Sequence, residues 1–114
     1  MSLPRRAYKV LTAAQSEELL AKGTFAGAPV DLADGFIHLS AAGQVDKTVA
    51  KHFAGQSDIW LAEVDLDALA ADLRWEPSRG GALFPHIYGA LPLSAVTAHF
   101  PLEYGEDGKI VLPG

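Results

Sequence analysis

The stretch DGFIHLS, residues 34–40, decides how the chain is read. Phe36, Ile37, His38, Leu39 and Ser40 form a short strand entered through Gly35. Successive strand side chains point to opposite faces. Ile37 and Leu39 therefore share one face, directed to a core. Phe36, His38 and Ser40 share the other. An aliphatic is expected at position 38 of a core strand, and a charge or threonine at position 36 of an exposed one. A face of aromatic ring, imidazole and hydroxyl is what lines a pocket. A single strand histidine is, on its own, more often a hydrogen-bonded structural residue.

A second segment repeats the pattern. FPHIY, residues 84–88, again runs aromatic, any residue, histidine, aliphatic, hydroxyl. If both segments are extended, His38 with Ser40 and His86 with Tyr88 make two matched faces. Meeting across a cleft, they would form an aromatic-walled, hydrogen-bonding pocket. Between them lies WEPSRGG, residues 75–81, which adds the flat ring of Trp75, the carboxylate of Glu76 and the guanidinium of Arg79. That inventory suits a ligand with a planar ring, hydroxyls and phosphates. Glu76, directly after Trp75, is the carboxylate to watch, against its plainer reading as a solvated strand end. A metal centre is not expected, because the two histidines are far apart and no His-x-x-x-His pair exists. His52 and His99 read as ordinary helix-surface and strand residues. No Gly-x-Ser-x-Gly, P-loop or Gly-x-Gly-x-x-Gly is present.

The chain has 114 residues, the size of one domain, with 49% hydrophobic and 20% charged residues. That is a globular composition able to bury one core without staples. It has no cysteine, hence no disulfide framework, which fits the cytoplasm. MSLPRRAYKV has no long apolar run after its arginines, so neither a signal peptide nor a membrane span is expected. A net charge of −5 opposes non-specific binding to nucleic acid or anionic lipid.

Residues 7–11 (AYKVL) read as a first strand. Thr12-x-x-Gln15 has capping-box spacing for a helix over 12–22, closed by Gly23. Residues 24–34, rich in glycine, proline and small residues, read as a loop. Ser40 caps a second helix over 42–53, with Val45, Val49 and Phe53 on one face. Leu19 and Leu20 should bury the first helix. Residues 59–64 are a strand, 66–72 a short helical stretch and 73–76 another strand. Pro85 argues against a regular central strand within 82–92. Residues 93–102 return to strand character, and Glu106 to Lys109 form a hairpin turn into 110–112. No repeat or linker divides the chain. The sum is one α+β domain with a curved, mostly antiparallel split sheet and two main helices.

DGFIHLS, WEPSRGG and FPHIYG together resemble the bacterial family catalogued as domain of unknown function 952. The resemblance covers nearly the whole chain, with the three motifs in order. It implies an ADP-ribosyltransferase-like fold. A more distant similarity runs to the catalytic domain of RNA 2′-phosphotransferases. That domain opens with a strand and helix, then a His-x-His-Leu-Ser segment, a strand ending in Val-Asp and a later aromatic-led strand. Such enzymes hold NAD in the cleft of a split sheet, against a histidine that matches His38. The departures are specific. Lys9 falls where those relatives carry a first-strand histidine, and could meet a phosphate. Asp34 falls near an arginine that binds RNA phosphate, with the opposite charge. The N-terminal domain of those enzymes has no counterpart, and no late-strand catalytic glutamate can be placed. RNA 2′-phosphotransferase activity is therefore not expected.

Three readings follow. The first is an enzyme acting on NAD or an ADP-ribose derivative, with His38 and Glu76 catalytic and Lys9, Ser40, Trp75, Arg79, His86 and Tyr88 binding NAD. Tyr88 or Trp75 would hold the nicotinamide ring. The second is a binding module that kept the cleft and lost the chemistry. The third is a structural or interaction protein, marked by His38 and His86 buried, separated and internally bonded. Substrate, acceptor and oligomeric state are left open.

Overall fold

In β1 (Arg6–Leu11), every residue after Arg6 is buried, so both faces of the strand are covered. The computed structural model describes residues 3–77 and 79–112, with the backbone alone at Arg79. Thr12 accepts from Gln15 N at 3.2 Å while the Gln15 side chain accepts from Thr12 N at 3.0 Å. This is the reciprocal cap that the spacing predicts, and it starts α1 (Ala13–Lys22). Gly23, at φ 74°, ends it and returns its N–H to Leu19 O. The helix buries Ser16 and Leu19. Leu20, expected in the core, is 52% exposed, since one further residue turns it off the buried stripe.

Residues 24–34 are not a loop. They hold β2 (Thr24–Phe25) and a short helix, α2 (Pro29–Asp34). Pro29 takes the first helical position, where its missing N–H costs nothing. Asp31 accepts from Ala28 N at 2.7 Å, and Gly35, at φ 87°, closes the helix. Gly35 then admits β3 (Ile37–His38). The second predicted helix splits into a 3₁₀ turn, Ala42–Gln44, and α3 (Val45–His52). Beyond it come β4 (Trp60–Asp65), a 3₁₀ turn at Leu66–Leu69, β5 (Leu73–Pro77) and β6 (Leu83–Ile87). After β7 (Leu91–Pro92) comes β8 (Val96–Pro101), and beyond it Tyr104 and Ile110 form an isolated antiparallel bridge.

Among the described residues all strand pairings are antiparallel, in three sheets ordered β1-β4-β8, β2-β7 and β3-β6-β5. Pro85 does sit in a central strand, contrary to the expectation from sequence. Its carbonyl accepts from Leu39 N at 3.0 Å, so its missing N–H faces β3, which ends at His38. The lost donor falls where the partner strand is already leaving. The main core gathers Leu11, Leu19, Phe25, Ile37, Leu39 and Ile87. A second packs Val45 and Val49 of α3 on Tyr8, Val10, Ile59 and Leu61. Among the described residues no helix is long and apolar enough to cross a membrane.

Candidate functional site

β1 meets the chain just past the end of β3, at a Tyr8–Ser40 bridge. Tyr8 N donates to Ser40 O at 2.7 Å and Ser40 N to Tyr8 O at 2.9 Å. No further ladder joins them among the described residues, and the sheet is split there. Lys9 spans the gap, donating from Nζ to His38 O at 3.1 Å. A cavity of about 270 Å³ opens at this split, its polar wall made by Lys9, Asp34, His38, Ser40, Thr48, His86 and also His52, which was expected to be a plain helix-surface residue. A hollow of about 330 Å³ beside the end of α3 contains none of the predicted site residues.

The two matched faces do meet. His38 and His86 are register partners across β3 and β6, with ring centroids 5.3 Å apart. Their neighbours Ile37 and Ile87 pair on the opposite, core face, as strand alternation requires. Phe36 packs against both imidazoles, at 4.6 and 4.2 Å between centroids, and against Tyr88 at 5.2 Å.

Each histidine is backed by a carboxylate. His38 Nδ1 lies 2.7 Å from Asp31 Oδ1, and its Nε2 lies 2.9 Å from Asp34 Oδ2. His86 Nδ1 lies 2.9 Å from Glu76 Oε1, which also accepts from the Tyr88 hydroxyl at 2.7 Å. The second array holds Glu76 below the usual carboxylate range, through His86 first and then Tyr88, and raises Tyr88 in return. Carboxylate partners orient an imidazole and select its tautomer.

Asp31 is the hub of the first array. It is 2% exposed and accepts four hydrogen bonds, from Ala28 N, Lys9 Nζ, His38 N and His38 Nδ1. Burial pushes its pKa up, yet the Lys9 charge, the Ala28 amide and His38 outweigh this and hold it below the ordinary value. Burial lowers Lys9, against the pull of Asp31. Ser40 Oγ lies 2.7 Å from Thr48 Oγ1. Thr48 donates its only proton to Gln44 O, so Ser40 donates to Thr48. Tyr8 donates to Glu63, and burial and that carboxylate together push its pKa up to about 12.

Lys9, Ser40, His38 and His86 therefore line the cavity, while Glu76 and Tyr88 stand behind His86. Two expectations need correction. Trp75 is not a pocket wall. It pairs with Pro85 on the far face of β5 and packs on the main core. Lys9 is not a rim cation for phosphate, because its ammonium is spent on Asp31. The Arg79 side chain lies outside the described residues. The sequence reading missed Asp31 altogether. Its signal was Pro29-x-Asp31 before Gly35, the cap pattern of a short helix. Among the described residues no three His, Asp or Glu are arranged to hold a metal ion.

His99, read as an ordinary strand residue, has close company. Its ring stacks on Trp60 at 4.8 Å and its Nε2 lies 2.6 Å from Ser16 Oγ. Burial lowers its pKa below the ordinary 6.5. A lowered histidine contributes stability that is full above the unfolded value and is lost as pH falls through the folded one. Wild-type stability should thus decline as pH falls below about 6.5, the ordinary histidine value. In His99→Gln that slope should shrink, as urea midpoints above and below that pH will show. An unchanged slope would refute the assignment.

Fold and site define a small α+β protein of antiparallel sheets, with two carboxylate-backed histidines at the split between them. The chain belongs to the family described as "Protein of unknown function (DUF952)", whose model matches residues 10–99. It is similar to the crystal structure of protein CC0527 from Caulobacter crescentus, at 47% identity over 93% of each chain, with a TM-score of 0.84. A crystal structure of a double mutant of that protein gives 45% identity over 93% of each chain and a TM-score of 0.84. Its solution structure gives 47% identity over 94% of this chain and 91% of that one, with a TM-score of 0.78. No curated protein matches the chain.

Proposed function

We propose that the cleft between β1 and β3 takes the nucleoside end of NAD or of an ADP-ribose derivative, in an ADP-ribosyltransferase-like fold. The observation that carries this reading is the register pairing of His38 with His86 at a sheet split, each ring set by a carboxylate. A cavity of about 270 Å³ is near the lower end for small-molecule sites, so it suits one end of a dinucleotide. Phe84, on its wall, replaces Trp75 as the ring available to a base. The His86 imidazole and the Asp34 carboxylate suit ribose hydroxyls. Cleavage of an N-glycosidic bond builds positive charge on the sugar, which the Asp34 carboxylate on the cavity wall would stabilise, with Glu76 acting through His86.

A binding module without turnover is the second reading. It is favoured by one feature: Lys9 and both ring nitrogens of His38 are already committed within the protein. Titration calorimetry with NAD and with ADP-ribose, followed by chromatography for released nicotinamide, separates the two. Heat of binding with nicotinamide release supports an enzyme, and heat without release supports the module. No heat from either compound at about 1 mM, the weak limit of specific recognition, overturns both.

A further inference from the structure

The two histidines look equivalent in sequence but differ in what remains open on each ring. His38 has a carboxylate at both nitrogens, Asp31 at Nδ1 and Asp34 at Nε2. Asp34 therefore covers the ring nitrogen that faces the cleft, and no open position is left on the His38 ring. His86 has Glu76 at Nδ1, and its Nε2 has no protein hydrogen-bond partner among the described residues. In the neutral ring the proton sits on Nδ1, against Glu76. Nε2 then carries a lone pair, and the residue forms part of the cavity wall.

Glu76 is itself fixed from the other side by the Tyr88 hydroxyl. The imidazole is packed under Phe36 with 5% of the residue exposed, so it cannot swing. A fixed imidazole with a carboxylate behind Nδ1 and an open Nε2 is the arrangement of a general base. Asp34, by contrast, is the last residue of α2 and its side chain is 48% exposed. It covers the nitrogen that His38 would need for the same task.

We infer that His86, through Nε2, is the group that accepts a hydrogen bond or proton from a ligand hydroxyl in the cleft. His38 is a positioning residue, clamped between Asp31 and Asp34. The ligand class is one with a donating hydroxyl, such as a ribose. This rests on the proposed nucleoside site for its ligand but not for the state of the rings, and the test keeps the two apart.

Long-range proton–nitrogen spectra of ¹⁵N-labelled protein, free of ligand, report which ring nitrogens carry a proton. A proton on Nδ1 and a bare Nε2 are expected for His86. A protonated Nε2 with a bare Nδ1 on His86 overturns the assignment. His86→Asn keeps an N–H near Glu76 and deletes Nε2, while His38→Asn keeps the Nδ1 contact to Asp31. By calorimetry with NAD, His86→Asn should weaken binding at least about tenfold and His38→Asn less than about threefold, a difference of about 0.7 kcal/mol or more. The reverse order overturns the inference. If His86→Asn melts well below wild type, the NAD-induced shift of the His86 Nε2 resonance in wild-type protein replaces it. No shift on saturation with NAD counts against the inference. If NAD binds nowhere, the proposed ligand fails and the ligand-free spectra alone decide the ring assignment.

Discussion

Asp31→Asn should destabilise the protein by about 3–5 kcal/mol, the usual cost of removing one partner from a buried ion pair. The substitution is nearly isosteric, so no cavity forms and packing is not the cause. The cost comes from donors without an acceptor. Asp31 Oδ2 accepts from Lys9 Nζ at 2.9 Å and from Ala28 N at 2.7 Å. Put an amide nitrogen there and three donors face one another. Put it at the Oδ1 position and it meets His38 N and Nδ1 instead. Neither flip satisfies the site. Lys9, 5% exposed, would keep a charge with no counter-ion. Adding Lys9→Met should recover part of the loss, because it removes the stranded cation. The double variant should be more stable than the two single costs predict, by at least about 1 kcal/mol of coupling. Urea melts at neutral pH measure all four corners of the cycle. A cost below about 1 kcal/mol for Asp31→Asn would refute the hub.

The same array fixes the acid limb of the stability curve. Asp31 has a lowered pKa, so its contribution is present above the unfolded value of 3.8 and disappears as pH falls through the folded one. Its loss begins at lower pH than that of His99, so stability should fall with pH in two ranges, the histidine first.

Sequence reading reached the parts of this protein that rest on local chemistry. The α1 cap was legible because Thr12 and Gln15 satisfy each other within one turn. The matched faces of His38 and His86 were legible because strand alternation has a period of two. What could not be read was set by distance. Asp31 looked like part of a glycine- and proline-rich loop. It becomes a hub only when α2 folds against Lys9, 22 positions earlier. Trp75 and Glu76 are adjacent and were read together as site residues, yet alternation sends Trp75 to the core. The assignment failed because it followed proximity in sequence where the strand period should have applied. Pro85 was misjudged for a related reason. The rule against proline concerns the hydrogen bonds of a partner strand, and β3 is too short to demand them.

Leu39→Ala should cost about 2–5 kcal/mol, whereas His38→Ala, its neighbour, should cost less and act on the cleft. Leu39 is 2% exposed in the main core with Ile37 and Ile87, so truncation leaves a cavity among residues that cannot close on it. The His38 side chain is 32% exposed. Its removal forfeits the Asp31 and Asp34 contacts, but Asp31 keeps Lys9, Ala28 N and the His38 amide. The cost should therefore stay near about 1–2 kcal/mol, above what a fully solvated ring would give and below a core deletion. The Asp31 contact sets that lower bound, and strand position alone did not reveal it. Denaturant melts give both values, and NAD titration shows which variant touches the ligand. Leu39→Ala should leave affinity within about twofold under conditions where it is folded. If His38→Ala is as damaging to stability as Leu39→Ala, the imidazole belongs to the scaffold. That outcome would leave the role assigned to His86 unchanged.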